Sequence, residues 1–296
     1  MSDRDIVKKI LKYVPKATFE FEEDNCVSAV LTKKDHIHFG LMRSLSLTDK
    51  KEVLNLLAKL KSIRVLDLRK NRIGLIPDLG LEMLEHIDLA SNYMGQVPEW
   101  IKNKKLKFLN LGVNEIQELP EWINEFTNLE VLKLHKNKIK GFEEISECKK
   151  IKFLNLYLNH AKKVPKFIWN FLDVEFFSWG VSGTTRLSED IINWKNLQWI
   201  SLVHNKLDSL PESICKLTQL KGIRANKNKI SKLPNEIGNL CNLRQLSLYK
   251  NELKNLPDSF RMLRLEKLNL SHNLFKDAPD VTADWLCSSP NDLKWR

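Results

Sequence analysis

The sequence predicts an α/β solenoid, a stack of short strands forming a parallel β-sheet, each strand followed by a turn or short helix. Two observations carry this. An eleven-residue pattern, apolar at positions 1, 4, 6 and 11 with Asn at 9, returns every 21 to 23 residues. No single copy holds enough apolar surface to bury itself, so neighbouring copies must stack to make a core.

The copies begin at IRVLDLRKNRI from Ile63 and continue as LEHIDLASNYM from Leu84, LKFLNLGVNEI from Leu106 and LEVLKLHKNKI from Leu129. They proceed through IKFLNLYLNHA from Ile151, a degraded VEFFSWGVSGT from Val174, LQWISLVHNKL from Leu197 and LKGIRANKNKI from Leu220. LRQLSLYKNEL from Leu243 and LEKLNLSHNLF from Leu265 follow. A fainter copy, VSAVLTKKDHI, starts at Val27.

Each position has a physical reason. Residues 3 to 7 alternate inward and outward, the period of a strand. The Asn at 9 falls where the chain bends away from the sheet and leaves backbone groups without ladder partners. Its amide carries donors and an acceptor that can satisfy them. This column is Asn71, Asn92, Asn114, Asn137, Asn159, Asn205, Asn228, Asn251 and Asn273, broken by Ser182.

The second half of most copies carries an aliphatic-Pro dipeptide: Ile76-Pro77, Val97-Pro98, Leu119-Pro120, Val164-Pro165, Leu210-Pro211, Leu233-Pro234 and Leu256-Pro257. Pro fixes φ and suits the start of a short helix. With these residues in place the chain resembles the leucine-rich repeat family in its LxxLxLxxNxLxxLPxxIxxL form. It is similar to the intracellular, Ras-associated-like group and to related bacterial proteins. The resemblance implies a horseshoe with the sheet on its concave face, short helices or turns on its convex face, and a protein-binding role. It names no partner, because this fold hosts many.

The organisation expected is an N-terminal cap over residues 1–62, repeats over 63–280 and a C-terminal cap over 281–296. The cap holds two helices and the degenerate copy. Ser2-Asp3-Arg4-Asp5 fits a capping box ahead of Ile6, Val7, Ile10 and Leu11. A second helix is expected from Thr48 to Leu60, and the run HIHFGLMRSLSL belongs to the same cap. Trp285, Leu286 and Trp295 are candidates to cover the last repeat.

Composition is that of a folded chain, with 43% apolar residues and only 10 Gly and 10 Pro. The N-terminus spreads charges through MSDRDIVKKILKYVPK and lacks the apolar core of a signal peptide. Cys26, Cys148, Cys215, Cys241 and Cys287 are odd in number and widely spaced, which reads as free thiols in a reducing cytoplasm.

Function must come from the outward strand positions. Column 3 reads Val65, His86, Phe108, Val131, Phe153, Phe176, Trp199, Gly222, Gln245 and Lys267. Columns 7 and 8 add Val113, Tyr157, Leu158, Val181 and Val203. An apolar band from the third to the seventh repeat is expected on the concave side, and such patches mark binding sites. The alternative is that these side chains ladder against one another and stiffen the sheet. Beside the band, Lys221, Arg224, Lys227, Arg244, Tyr249 and Lys250 form a polar, basic stretch suited to an acidic segment of a protein partner. The first two repeats offer Asp67, Arg69, Lys70, Glu85 and Asp88.

The expectation is a monomeric, non-catalytic scaffold without cofactor or membrane span. A net charge of +11 raises the alternative of nucleic acid or an anionic surface bound by the basic C-terminal repeats. Against it, Lys136, Lys138 and Lys140 fall in turns and no nucleic-acid motif is present. For an enzyme, His86 and His135 lie two repeats apart, about 10 Å at strand spacing, too far to share a metal ion. Ser201 and His204 lack an acid to orient the histidine. GVSGTTR from Gly180 lacks the GK[ST] ending of a P-loop and reads as the turn of a worn repeat. Trp100, Trp122 and Phe167, two residues after their prolines, read as shielding on the convex side.

Overall fold

The computed structural model describes residues 1–31, 41–102, 105–276 and 293–294. Part of the HIHFGLMRSLSL run, and all of Trp285, Leu286, Cys287 and Trp295, lie outside the described residues. The chain divides into two compact units, Met1–Lys150 and Ile151–Arg296.

The first unit opens with α1 (Asp3–Tyr13), and Ser2 caps it. The Ser2 Oγ accepts from the Asp5 N–H, and the Asp5 carboxylate accepts from the Ser2 N–H. Two of the orphan donors at the helix start are thereby satisfied. Ile6, Val7 and Ile10 form its buried stripe. α2 (Leu47–Leu57) follows the Ser46 cap and buries Val53, Leu54, Leu56 and Leu57. It stops before Leu60, which is buried beyond the helix end.

Between them lies a hairpin that the repeat pattern does not announce. β1 (Thr18–Glu22) pairs antiparallel with β2 (Asn25–Val30) around Glu23, which takes a left-handed φ of 55°. β2 then pairs parallel with β3 (Val65–Asp67), Ser28 opposite Val65 and Ala29 opposite Leu66. The fainter copy therefore starts at Cys26, one residue earlier than its sequence reading. Cys26, Ala29 and Leu31 point inward and are buried. A one-residue slip exchanges the two faces of a strand, and here small inward residues blurred the pattern.

β3 pairs in parallel register with β4 (His86–Asp88), β4 with β5 (Phe108–Asn110), and β5 with β6 (Val131–Lys133). The second unit repeats the arrangement. β7 (Phe153–Asn155), β8 (Phe176–Ser178), β9 (Trp199–Ser201), β10 (Gly222–Arg224), β11 (Gln245–Ser247), β12 (Lys267–Asn269) and β13 (Leu293–Lys294) pair in chain order, all parallel. The degraded copy thus makes a full strand, β8. Inward residues at position 4, such as Leu109, Phe177 and Ile223, are fully buried.

The outer sides carry single turns of 3-10 helix, among them Glu121–Glu125, Lys166–Asn170, Glu189–Asn193 and Glu212–Lys216. Pro120, Pro165 and Pro211 stand just before the first helical residue with extended ψ, one position earlier than the first-turn site where Pro is favoured. The sixth repeat has no Pro there. Ser188 takes its place, and its Oγ accepts from the Asp190 N–H.

The asparagines at position 9 bridge successive coils. Asn228 Nδ2 donates to Leu202 O at 2.9 Å and to Ala225 O at 3.0 Å, while its Oδ1 accepts from Leu207 N–H at 3.0 Å. Asn137 makes the equivalent bonds to Leu111 O, Leu134 O and Ile116 N–H. One side chain so satisfies three buried backbone groups.

Candidate functional site

In the second unit the outward column places Phe153 opposite Phe176, Phe176 opposite Trp199 and Trp199 opposite Gly222. The Phe153 and Phe176 rings stack face to face, 4.0 Å between centroids with planes 1° apart. Trp199 lies across Gly222, where a Cβ would overlap its ring. Glycine is thus required there for close approach. At Gly180 an added Cβ would meet the Val203 carbonyl first and the edge of the Tyr157 ring next. Phe153, Tyr157, Leu158, Phe176, Trp199 and Val203 are consequently half-buried rather than fully exposed. The stiffening contacts and the apolar face coexist.

The basic residues follow directly. Arg224 ends β10 and is exposed. Lys221 donates to Gln198 Oε1 at 2.8 Å. Lys227 and Lys250 occupy the same position in neighbouring repeats, both exposed. Arg224, Lys227 and Lys250 form no ion pair among the described residues. His204 precedes them in that column. Burial, then Lys227 and Lys250, hold its pKa below the usual 6.5. Tyr249 is half-buried and meets the His272 ring edge-on at 5.0 Å.

In the first unit Phe108 is paired with Val131 on one side and His86 on the other, and both Phe108 and Val131 are half-buried. The Lys133 ammonium stands 5.1 Å from the Phe108 ring centroid, within cation–π range. Asp67 and Asp88 sit side by side, with Arg69 2.8 Å from Asp67 and 3.8 Å from Asp88. Burial and the neighbouring Asp88 push the Asp67 carboxyl above its ordinary range, against the pull of Arg69. This face is acidic where the second unit's is basic.

One feature of the backbone escaped the pattern altogether. Position 8 is left-handed in every repeat from Lys70 to His272, with φ between 55° and 63°. Its N–H turns onto the next repeat's backbone, as Lys227 N–H does to Tyr249 O at 2.8 Å. Asn or Gly would have announced such a site; Val113, Leu158 and Val181 concealed it.

Among the described residues no group of three or more His, Cys, Asp and Glu is arranged to hold a metal ion. No described helix is long and apolar enough to cross a membrane.

A stacked parallel sheet with an asparagine ladder defines a leucine-rich repeat protein, and comparison with known proteins agrees. Residues 139–268 match the family described as a leucine-rich repeat region. A leucine-rich repeat protein of Leptospira interrogans is 33% identical with a TM-score of 0.71, over 75% of this chain and 58% of that one. An internalin of Listeria monocytogenes is 18% identical with a TM-score of 0.72, covering 99% of this chain and 95% of its own. The leucine-rich repeat ectodomain of the Arabidopsis receptor kinase HAESA, in complex with a peptide hormone, is 21% identical with a TM-score of 0.72, over 92% and 49%. This chain spans little more than half the length of the Leptospira protein. It belongs to the leucine-rich repeat proteins, a fold class that generally mediates protein–protein interaction.

Proposed function

We propose that this chain is a non-catalytic binding module that captures a protein partner on its sheet face. The observation that carries this reading is the column Phe153, Phe176 and Trp199 ending on Gly222, with Lys221, Arg224, Lys227 and Lys250 beside it. Half-buried aromatic rings held rigidly lose little entropy on binding and suit hot spots. The unpaired cations suit an acidic segment next to an apolar anchor. Phe108 and Val131 are read as apolar contacts of the same kind on the first unit. The peptide-bound state of the plant receptor ectodomain is consistent with such use of the fold. A reducing compartment suits the four described cysteines, all unpaired and three of them buried.

The same cations favour a second reading, a polyanion such as nucleic acid. Affinity capture with the intact chain tests both. A protein recovered by the wild type and lost by Trp199→Ala supports the first reading. Retention by Trp199→Ala with loss on Trp122→Ala would place the binding surface on the outer side, where Trp122 sits, and overturn the first reading. Capture abolished by added duplex DNA, with no protein left behind, would favour the polyanion.

A further inference from the structure

At the sixth repeat the strands stay paired, but two of the bonds that join successive coils beyond the strand are lost. In its neighbours the N–H at position 11 donates to the next repeat's Asn Oδ1, as Leu207 does to Asn228 and Ile230 to Asn251. The N–H at position 10 donates back to the previous repeat's backbone, as Lys206 does to Thr184 O and Lys229 to Leu207 O. At the step from the fifth repeat to the sixth both bonds are missing. Ser182 stands where Asn is usual, and its Oγ faces the other way, 2.8 Å from Asn205 Oδ1 and 2.7 Å from Thr184 Oγ1. Thr184 in turn accepts from the Trp179 indole at 2.9 Å. Ala161 N–H and Gly183 N–H are left without hydrogen-bond partners among the described residues.

A cavity of about 460 Å³ opens there, between the loop 183–190 and the segment 162–169. Lys162, Lys163, Lys166 and Arg186 line it, against the single carboxylate of Asp190. Arg186 is shared with Asp208 at 3.2 Å, and Asp190 already accepts from Ser188. The three lysines have no ion pair or hydrogen bond among the described residues. Val164 and the small exposed edge of the otherwise buried Trp169 give the cavity an apolar side. Three ammonium groups without an ion pair, together with the exposed backbone of Gly183, line one concavity, and such a set suits a compact multivalent anion.

We propose that this cavity binds a small phosphate monoester, the phosphate among Lys162, Lys163 and Lys166 and its organic group against Val164 and Trp169. A phosphate monoester carries close to two charges at neutral pH and three acceptor oxygens, matching several donors at once. A carboxylate, with one charge, matches them less well. The volume is that of a small-ligand site. This site is separate from the sheet face and stands or falls independently of it.

The test uses phenyl phosphate as probe, followed by calorimetry on the full chain at ~0.15 M salt, where the Debye length is about 8 Å. Saturable binding is expected, competed by inorganic phosphate. Replacing all three lysines, K162Q/K163Q/K166Q, should weaken it about tenfold or more, as charge-assisted bonds are lost. These side chains are exposed, so the core is untouched. K221Q/K227Q/K250Q on the sheet face, which removes the same charge, should leave affinity within about twofold, because salt screens distant charges. Equal weakening by both triple variants would reduce the effect to net charge and overturn the proposal. So would benzoate binding as tightly as phenyl phosphate, or the absence of saturable binding. A phosphoserine peptide binding far more tightly than phenyl phosphate would overturn the small-ligand assignment in favour of a phosphoprotein.

Discussion

At position 8 the chain sets a conformational requirement against side-chain chemistry. The left-handed φ is imposed by the turn onto the next repeat, and it is indifferent to which residue occupies it. For an L-residue it costs roughly 1–2 kcal/mol, and β-branched residues suffer most. Val181 holds φ 60° with its side chain partly in solvent, so little packing offsets the strain. Val181→Asn should therefore stabilise the fold by about 1 kcal/mol, Asn being the side chain that tolerates this region best. Urea unfolding checks this: the midpoint should rise with an unchanged slope. A lower midpoint would mean that Val181 contributes contacts outweighing its strain. The neighbouring asparagines illustrate the opposite case, in which one side chain fits one geometric need so well that its spacing alone reveals the repeat.

At the scale of the element, what the sequence disclosed depended on how directly each residue encodes its surroundings. The β-strands β3 to β12 were legible because Leu at positions 4 and 6 and Asn at 9 each answer to one physical demand. The strand β1 was not, since TFEFEEDN matches no repeat and its hairpin partner is recognisable only once β2 is placed. The candidate surface was legible as a column, because a parallel register without bulges aligns equal positions. That Trp199 lies on Gly222, and that the edge of Tyr157 approaches Gly180, was not legible. A glycine in a weak repeat looks like decay until the ring above it is seen. Ser182 is similar, a lost Asn in the sequence but an open step in the structure. That step makes a direct expectation for amide exchange. Gly183 N–H should exchange faster than Lys206 and Lys229 N–H, which occupy the same position with bonds of 2.9 Å each. Hydrogen-exchange NMR on the three amides decides it, and equal protection would mean that the step is closed in solution.

For the molecule as a whole, the net charge of +11 bears on how a partner arrives more than on how tightly it stays. Exposed charges act over about a Debye length, near 8 Å at physiological salt, and raise the encounter rate. Desolvated aromatic contacts form last and break first, so they govern dissociation. Lys227 is exposed and unpaired; Trp199 is half-buried against Gly222. On the proposed reading the two residues should separate kinetically once a captured partner is available. Lys227→Glu should slow association and flatten its dependence on salt, leaving dissociation nearly unchanged. Trp199→Ala should leave association within about threefold and speed dissociation about thirtyfold, the equivalent of a 2 kcal/mol hot spot. Because Trp199 also covers Gly222, the variant loses some folding stability as well, and its unfolding midpoint must be measured beside its binding. If dissociation quickens only under conditions where Trp199→Ala is partly unfolded, the ring serves the sheet and not the partner. If it quickens with the fold intact, the column from Phe153 to Trp199 is the anchor, and the basic residues beside it are the means of approach.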